Sequence, residues 1–380
     1  MIHRFISRTC IAAVVSLLTA TCALGEDGVT ADTILLGRSA GITGAQAVPV
    51  SENSAGAQLY FDGVNKHGGV HGRKVALKTV DDGNDVKRTV ETVRQLIEQD
   101  KVFMLFLGRG TANNEAAIPV FSGAKIPNFA PLSPATSMNK PFQKYIFNVR
   151  ARGANEIDKI VEQMVTLGMK KIAIVYADDG FGKDVMAGTE ESMKKYNLTP
   201  VAKVTIGRTA TQFDDQVSAI AKAEPQAVII GAVAKPSAAF IRAARKAGIG
   251  AQLFSLSNVS SDAYIKDLGT DGVGVGVTQV VPYPWSAGTP IVKEFLQGVK
   301  ENPSVPITHG SLEGYISAKV LVEGLKRTGP QLTRVKLIST LESMTNYDVG
   351  GMTISYTPEN HQGSNFVELT VIGSEGRFVR

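Results

Sequence analysis

Cysteine is almost missing from this sequence, and its two occurrences do not serve a mature fold. Cys10 and Cys22 both fall within the first 25 of 380 residues. Removal of that segment excludes disulfides, thiolate metal sites and cysteine nucleophiles together. Histidine is scarce too: of His3, His67, His71, His309 and His361, only His67 and His71 are near neighbours, and they straddle a turn with no third ligand. No metal and no cofactor are therefore expected. After residue 25 no apolar run is long enough to span a bilayer. The glycine patterns are incomplete as well. The run Gly272-Val273-Gly274-Val275-Gly276 lacks the lysine of a phosphate loop, and Gly41-Ile42-Thr43-Gly44 lacks the third glycine and the acid of a dinucleotide site. Charge of one sign is not in excess either. Without Arg4 and Arg8 the balance is 38 − 35 = +3, too mild and dispersed for a nucleic-acid partner.

What is present begins with a basic start (His3, Arg4, Arg8), an apolar stretch from Cys10 to Leu18 and small residues to Gly25. That is the layout of a signal peptide over residues 1–25. Cleavage after Ala23 or Gly25 is expected, and Thr21 occupies the place where a lipidation site at Cys22 needs glycine or alanine. The remaining length suggests two domains rather than one core.

The stretch from Val102 to Thr136 organises the rest. An apolar run (VFMLFL) breaks at Gly108-Arg109-Gly110-Thr111, and Asn113 or Asn114 is placed to cap a helix through Phe121. A second apolar run, Ile126 to Ala130, ends at Pro131-Leu132-Ser133-Pro134. This is a β-α-β unit, whose two strand ends point the same way. Ligands of open α/β sheets bind just outside those ends. The two loops thus make half of a ligand cleft, with Arg109, Gly110, Thr111, Leu132, Ser133 and Pro134 as candidate contacts.

Similar alternation precedes and follows that unit. Strands are expected at Ile34–Gly44, Lys74–Val80 and Lys144–Val149, with helices over Ser54–His67 and from Asn84 or Asp85 to Gln99. It restarts at Asn155 with a helix to Leu167, then strands at Lys171–Tyr176, Val201–Ile206, Ala227–Ala232 and Gln252–Leu256, separated by helices. A strand within Gly272–Val281, helices at Pro290–Lys300, Ser311–Lys326 and Thr333–Met344, and strand pieces at Met352–Tyr356 and Phe366–Ile372 complete the chain. Alternation of this kind means parallel sheets covered on both faces. Adjacent Asp178 and Asp179 would suit acid–base chemistry, but acids before a helix more often serve its positive end, and no enzyme is expected.

Several stretches together resemble the type I periplasmic substrate-binding proteins of ABC importers, in the branched-chain amino-acid family. They are Ala40-Gly41-Ile42-Thr43-Gly44, FDGVNKHGGVHGRKVAL (Phe61 to Leu77), Asp81-Asp82, Gly110-Thr111 with IPVFSGAKIPNFAP, YADDGFGKD (Tyr176 to Asp184), AFIRAARKAG (Ala239 to Gly248) and LEGYISAKVLVEGLKRTG (Leu312 to Gly329). The resemblance covers essentially the whole mature chain. It implies an α/β fold of two doubly wound parallel-sheet lobes joined by a three-crossover hinge, with crossings near Val149–Arg152, Gln279–Pro282 and Tyr347–Gly350. Lobe one would then comprise residues 26–149 and 281–347, and lobe two 150–280 and 348–380.

It further implies a periplasmic monomer that delivers a small amino acid or organic acid to an ABC permease in the inner membrane. A ligand sensor for a regulatory or chemotaxis receptor is the alternative. Thr111 matches the hydroxyl that holds a ligand carboxylate, and Phe181 the aromatic that covers the ligand. The second-loop threonine of the family falls on Pro134, for which Ser133 is the nearest substitute. Val233, Ser257 and Asn258 complete the candidate contacts from the second lobe. The family's acid for the ligand ammonium falls on Ser257, and an uncompensated buried ammonium is costly. Arg109 beside the cleft can fork onto a carboxylate. The expected ligand is therefore a small organic anion rather than a leucine-type zwitterion.

Intact-mass and N-terminal analysis of exported protein should find a start between Leu24 and Asp27 and no lipid; a diacylglycerol mass on Cys22 would contradict this.

Overall fold

Short apolar runs become the strands of two sheets. The structure, a computed structural model, describes residues 25–380. The expected signal segment, with Cys10 and Cys22, lies outside the described residues except for Gly25. In the first lobe β1 (Thr33–Ala40), α1 (Ala47–Lys66), β2 (Lys74–Asp81), α2 (Val86–Glu98), β3 (Met104–Phe106), α3 (Thr111–Gly123), β4 (Asn128–Phe129) and β5 (Ile146–Phe147) follow one another. Their sheet has the order β2-β1-β3-β4-β5 and is parallel throughout.

The second lobe runs α4 (Gly153–Thr166), β6 (Ile172–Ala177), α5 (Gly180–Lys194), β7 (Ala202–Ile206), α6 (Asp214–Ala223), β8 (Ala227–Gly231), α7 (Ala234–Lys246), β9 (Gln252–Ser255), α8 (Asp262–Leu268) and β10 (Gly276–Gln279). The chain then adds α9 (Pro290–Glu301), α10 (His309–Thr328) and α11 (Arg334–Glu342), followed by β11 (Tyr347–Asp348), β12 (Thr353–Ile354), β13 (Glu368–Ile372) and β14 (Phe378–Val379). The second sheet has the order β14-β13-β10-β9-β8-β6-β7.

Two expectations need correction. The second sheet is not wholly parallel: β13 runs antiparallel to β10, and β14 antiparallel to β13, because the last strands arrive as a hairpin turning at Gly376 (φ 65°). The third crossing also comes later than Tyr347–Gly350. Val349, Met352, Ile354 and Tyr356 are buried in the core of the first lobe, and the chain joins the second sheet only at Glu368. Their apolar faces are satisfied by the first lobe, so the crossing waits for the polar segment that follows. Helix α8 and strand β14 were not foreseen; both are short, and short elements carry little periodicity.

Helices α9 to α11 return to the first lobe, where Ile291, Phe295, Leu312, Ile316, Leu321, Leu337 and Leu341 share one core with Phe61, Phe106 and Phe129. Helix α10 lies directly against α1. A Cβ on Gly56 would stand 1.7 Å from the Ser311 carbonyl oxygen, and one on Gly314 would stand 2.0 Å from that of Asn53. The two backbones touch, so both positions require glycine for space. Among the described residues no helix is long and apolar enough to cross a membrane.

That close approach predicts opposite effects on a single helix. Gly56→Ala should destabilise the fold by about 1–3 kcal/mol or more through overpacking. Gly63→Ala, exposed on the same helix with open space around it, should stabilise by roughly 0.5–1 kcal/mol. Urea unfolding of the two variants distinguishes them; equal effects would show that the helices can separate.

Candidate functional site

The site begins with a fully buried cation. Arg38 on β1 is 0% exposed, and its Nε donates to the Leu107 carbonyl at 2.9 Å while Nη1 binds Ser54. Burial pulls its pKa down to about 9, which still leaves it charged at neutral pH. The carbonyl it holds belongs to a residue in the left-handed region (Leu107, φ 58°), and Gly110 follows at φ 95°. A Cβ on Gly110 would also lie 2.8 Å from Asn113 Oδ1. The turn between β3 and α3 is thus fixed from behind, with Arg109 at its tip.

Helix α3 starts at Thr111 with Gly110 as its N-cap and no side-chain cap. The expected caps do not act as such. Asn113 donates to Thr89 Oγ1, and Asn114 donates to the carbonyls of Gly108 and Gly110. Asn114 therefore holds the turn and Asn113 ties α3 to α2, which leaves the first N–H groups of the helix without an acceptor from a cap.

The second loop zips onto the first. Leu132 N–H donates to Gly108 at 2.8 Å, and Gly110 N–H donates to Leu132 at 3.3 Å. Ser133 and Thr111 share a hydroxyl–hydroxyl bond of 2.9 Å. From the second lobe, Asp179 caps α5 by accepting from Gly182 N–H at 2.9 Å, and Phe181 sits in the first turn, 7% exposed.

Between the lobes lies a cavity of about 80 Å³. Of the expected contacts, Arg109, Gly110, Thr111, Leu132 and Pro134 line it from the first lobe and Phe181, Val233 and Asn258 from the second. Ser133 and Ser257 do not. Ser133 is turned behind Thr111, so it positions that hydroxyl rather than replacing a threonine at Pro134. Ser257 is held by two charged residues: its hydroxyl accepts from Arg150 Nη2, and its N–H donates to Glu156 Oε2 at 2.8 Å. Glu156 is 0% exposed and also receives Thr278 Oγ1 at 2.6 Å and Arg150 Nη2 at 3.3 Å. A negative charge thus stands one layer behind Ser257, on Glu156, already paired with Arg150.

Sequence reasoning missed Gln46, Asn84, Glu115, Arg150 and Arg208 as lining residues, and assigned Asp179 only to its helix. Arg150 and Glu156 flank the start of α4, where an acid reads as a partner for the helix end. Only the fold reveals that they meet Ser257.

Arg109 commands the cavity electrostatically. Its Nε donates to Gln46 Oε1 at 3.0 Å, Nη1 to Asn53 Oδ1 at 3.2 Å and Nη2 to the Asn258 carbonyl at 3.2 Å. None of these partners is a carboxylate. Burial lowers its pKa to about 10, with Glu313 and Glu52 opposing from the hinge side, and it remains cationic. The acids lining the cavity are both engaged: Asp179 by its cap, and Glu115 by Ser137 at 2.6 Å. Two bonds cross between the lobes here, Arg109 to Asn258 and Thr136 N–H to Asp184 Oδ2 at 2.9 Å.

Two patterns associated with catalysis or metal binding carry neither here. Gly37-Arg38-Ser39-Ala40-Gly41 has the spacing of a nucleophile elbow, but Ser39 is 5% exposed and bonded to Asp82 and Thr92, with no histidine beside it. No group of His, Cys, Asp and Glu suited to a metal occurs among the described residues.

The family model described as "Periplasmic binding protein" matches residues 33–377. The chain belongs to the periplasmic binding protein family. Members of that family are binding proteins rather than enzymes. A substrate-binding periplasmic protein from Ralstonia solanacearum, of known structure, is 32% identical, with a TM-score of 0.83 over 91% of this chain and 99% of that one. A possible leucine/isoleucine/valine-binding protein from Rhodopirellula baltica is 25% identical, with a TM-score of 0.85 over 94% and 98%. Leu/Ile/Val-binding protein homolog 8 of Brucella abortus is 27% identical over 75% of this chain and 74% of its own length.

Behind the cleft of this periplasmic binding protein, a much smaller space of about 10 Å³ is lined by Glu52, Arg109, Arg150, Gln279, His309 and Glu313 at the hinge. Burial raises the Glu52 pKa to about 7 from 4.5 and lowers that of His309 to about 3. A raised carboxyl pKa means the unfolded chain releases its proton first. The stability associated with protonated Glu52 is complete below about pH 4.5 and lost as the pH rises through about 7. Glu52→Gln should flatten the pH dependence of the melting temperature across that window and gain most at its alkaline end. An unchanged profile would mean that Glu52 is hydrated.

The buried pair gives a sharper test. Glu156→Ala should cost about 3–5 kcal/mol by removing one of the two carboxylates that pair with buried Arg150 and leaving Thr278 Oγ1 and the Ser257 N–H without their acceptor. Chemical denaturation checks this, and a loss below about 1 kcal/mol would place the pair in a surface-like environment.

Proposed function

We propose that this periplasmic binding protein is the extracytoplasmic solute-binding component of an ABC importer. It is a monomer, exported by its signal peptide, that captures a small amino-acid-like or carboxylate ligand between its lobes and presents the closed form to a membrane permease. The names of the Rhodopirellula and Brucella relatives support the amino-acid-like range of that reading. In this reading the ligand is held by the residues that line the inter-lobe cavity, Arg109, Gly110 and Thr111 among them, with Gln46 and Arg150 beside them and Ser133 and Ser257 one layer back.

The observation that carries the ligand class is the state of the α3 N-terminus. Thr111 and Ala112 begin a helix without a side-chain cap and line the cavity, directly after a guanidinium with no carboxylate partner. Uncapped N–H groups and the helix dipole favour an anion at that spot. Three N–H donors of Arg109 are engaged, and the rest of its fork stays available to a carboxylate. An ammonium finds no counterpart of equal strength, because Glu156 is paired and Glu115 and Asp179 are bonded. The favoured ligand is accordingly a small organic anion. The lobes close on it because each holds one part of the site.

A thermal-shift and calorimetry screen of carboxylates against amino acids tests this. Carboxylates should stabilise most, and Arg109→Gln should weaken their binding by roughly 1.5–3 kcal/mol, the range for a bond to a charged group. If leucine, isoleucine or valine binds best and Arg109→Gln leaves it unaffected, the anion reading is wrong.

A further inference from the structure

One acceptor in the wall of the cleft is left over. Asn258 lies in the turn Ser257–Val259, just past β9, and lines the inter-lobe cavity. Its backbone carbonyl accepts from Arg109 Nη2 at 3.2 Å, and its side-chain Nδ2 donates to the Ala232 carbonyl at 3.1 Å. A carbonyl can face only the amino end of an amide, so this side chain cannot be turned over. Its Oδ1 is therefore fixed as an acceptor, and it is buried with no donor among the described residues. A buried acceptor without a donor is costly, and once a solute has displaced water from the cavity, only the solute can supply one.

The place of this acceptor limits the charge of the donor. Arg109 bonds the carbonyl of the same residue, so a group at Asn258 Oδ1 stands within one residue's span of a guanidinium. A second cation there would meet like-charge repulsion with only a neutral oxygen as its partner. A hydroxyl brings one donor and no charge, and so matches a single free acceptor. The same closeness limits where the hydroxyl sits on the solute. With a carboxylate at Arg109, the carbon next to it is the one whose substituent reaches Asn258. Leu132, Pro134, Phe181 and Val233 make much of the remaining wall apolar, and about 80 Å³ has room for a short body only.

We propose that the solute is a compact 2-hydroxycarboxylate, with its carboxylate at Arg109 and the α3 N-terminus, its hydroxyl donating to Asn258 Oδ1 and a short aliphatic body against Phe181 and Val233. This rests on the carboxylate reading of the site and adds a second polar group to it. Asn258 then selects the hydroxy acid over the plain acid, which brings no donor. It also selects against the keto acid, whose oxygen would face Oδ1 lone pair to lone pair.

Calorimetry on the full mature protein with one carbon skeleton tests this: 3-methylbutanoate, each enantiomer of its 2-hydroxy form, its 2-oxo form and its 2-amino form. One enantiomer of the hydroxy acid should bind about tenfold tighter than the plain acid, and the oxo acid no tighter than the plain one. Asn258→Leu, close in size and keeping the backbone carbonyl for Arg109, should remove the difference between hydroxy and plain acids. The comparison within the unaltered protein stands whether or not that variant folds. Equal binding of hydroxy and plain acids, or a preference for the oxo acid, would overturn the hydroxyl and leave the carboxylate reading intact. A preference for the hydroxy acid that survives in Asn258→Leu would overturn the role of Asn258. Tightest binding of the amino form, or no binding of any of the acids, would overturn the carboxylate reading and this proposal together.

Discussion

Arg150 is the residue on which the two-lobed arrangement depends. It lies on the first passage between the lobes, and its guanidinium meets Glu156 of the second lobe and Glu313 of the returning helix α10. Through Glu156 it is tied to Thr278 at the second passage, and its own carbonyl receives the Gln362 side chain from the third. One residue is therefore linked to all three passages, to the second through Glu156 and to the third through its backbone carbonyl. Such a group adds little net stability compared with apolar packing, yet losing one partner is expensive, so its effect is to fix where the parts sit. The adjacent hinge space, lined by Glu52, Gln279, His309 and Glu313 and with unbonded nitrogens on Arg150 and His309, shows that this packing is polar rather than greasy. A polar hinge can exchange partners as it bends, where an interdigitated apolar one would open voids.

The cleft above this hinge is asymmetric in charge. Both lobes offer the N-terminus of a helix, α3 and α5. The second lobe neutralises its own with Asp179, whereas the first leaves its own bare and adds Arg109. Arg38, buried beneath, secures the strained Leu107 turn that makes this possible. The first lobe thus carries the attraction, and the second supplies a cover in Phe181 and a neutral edge in Asn258.

Periodicity revealed most strands and helices, since buried parallel strands such as Ile172–Ala177 are continuous apolar runs and α2 bears a clean stripe. It also located the loop pair at Arg109 and Leu132, because strand-end geometry is local. What stayed hidden depended on partners distant in sequence. Asn113 and Asn114 have the composition of caps, but Thr89 and the carbonyls of Gly108 and Gly110 claim their amides. The segment from Val349 to Tyr356 looked ready to leave the first lobe, yet its apolar side chains had a core there to fill. That the Ser257 N–H meets Glu156, 101 positions away, was not legible either.

The bond from Thr136 N–H to Asp184 joins the lobes through protein atoms alone. A clasp of that kind favours the shut form whether or not a solute is bound, and so helps to set the resting ratio of shut to open molecules. The larger that ratio, the less discrimination between the two forms a solute must provide to complete the shift. The same molecules would spend time shut with nothing bound. The strength of a single backbone-to-carboxylate contact thereby trades readiness for scarce solute against time spent shut and empty.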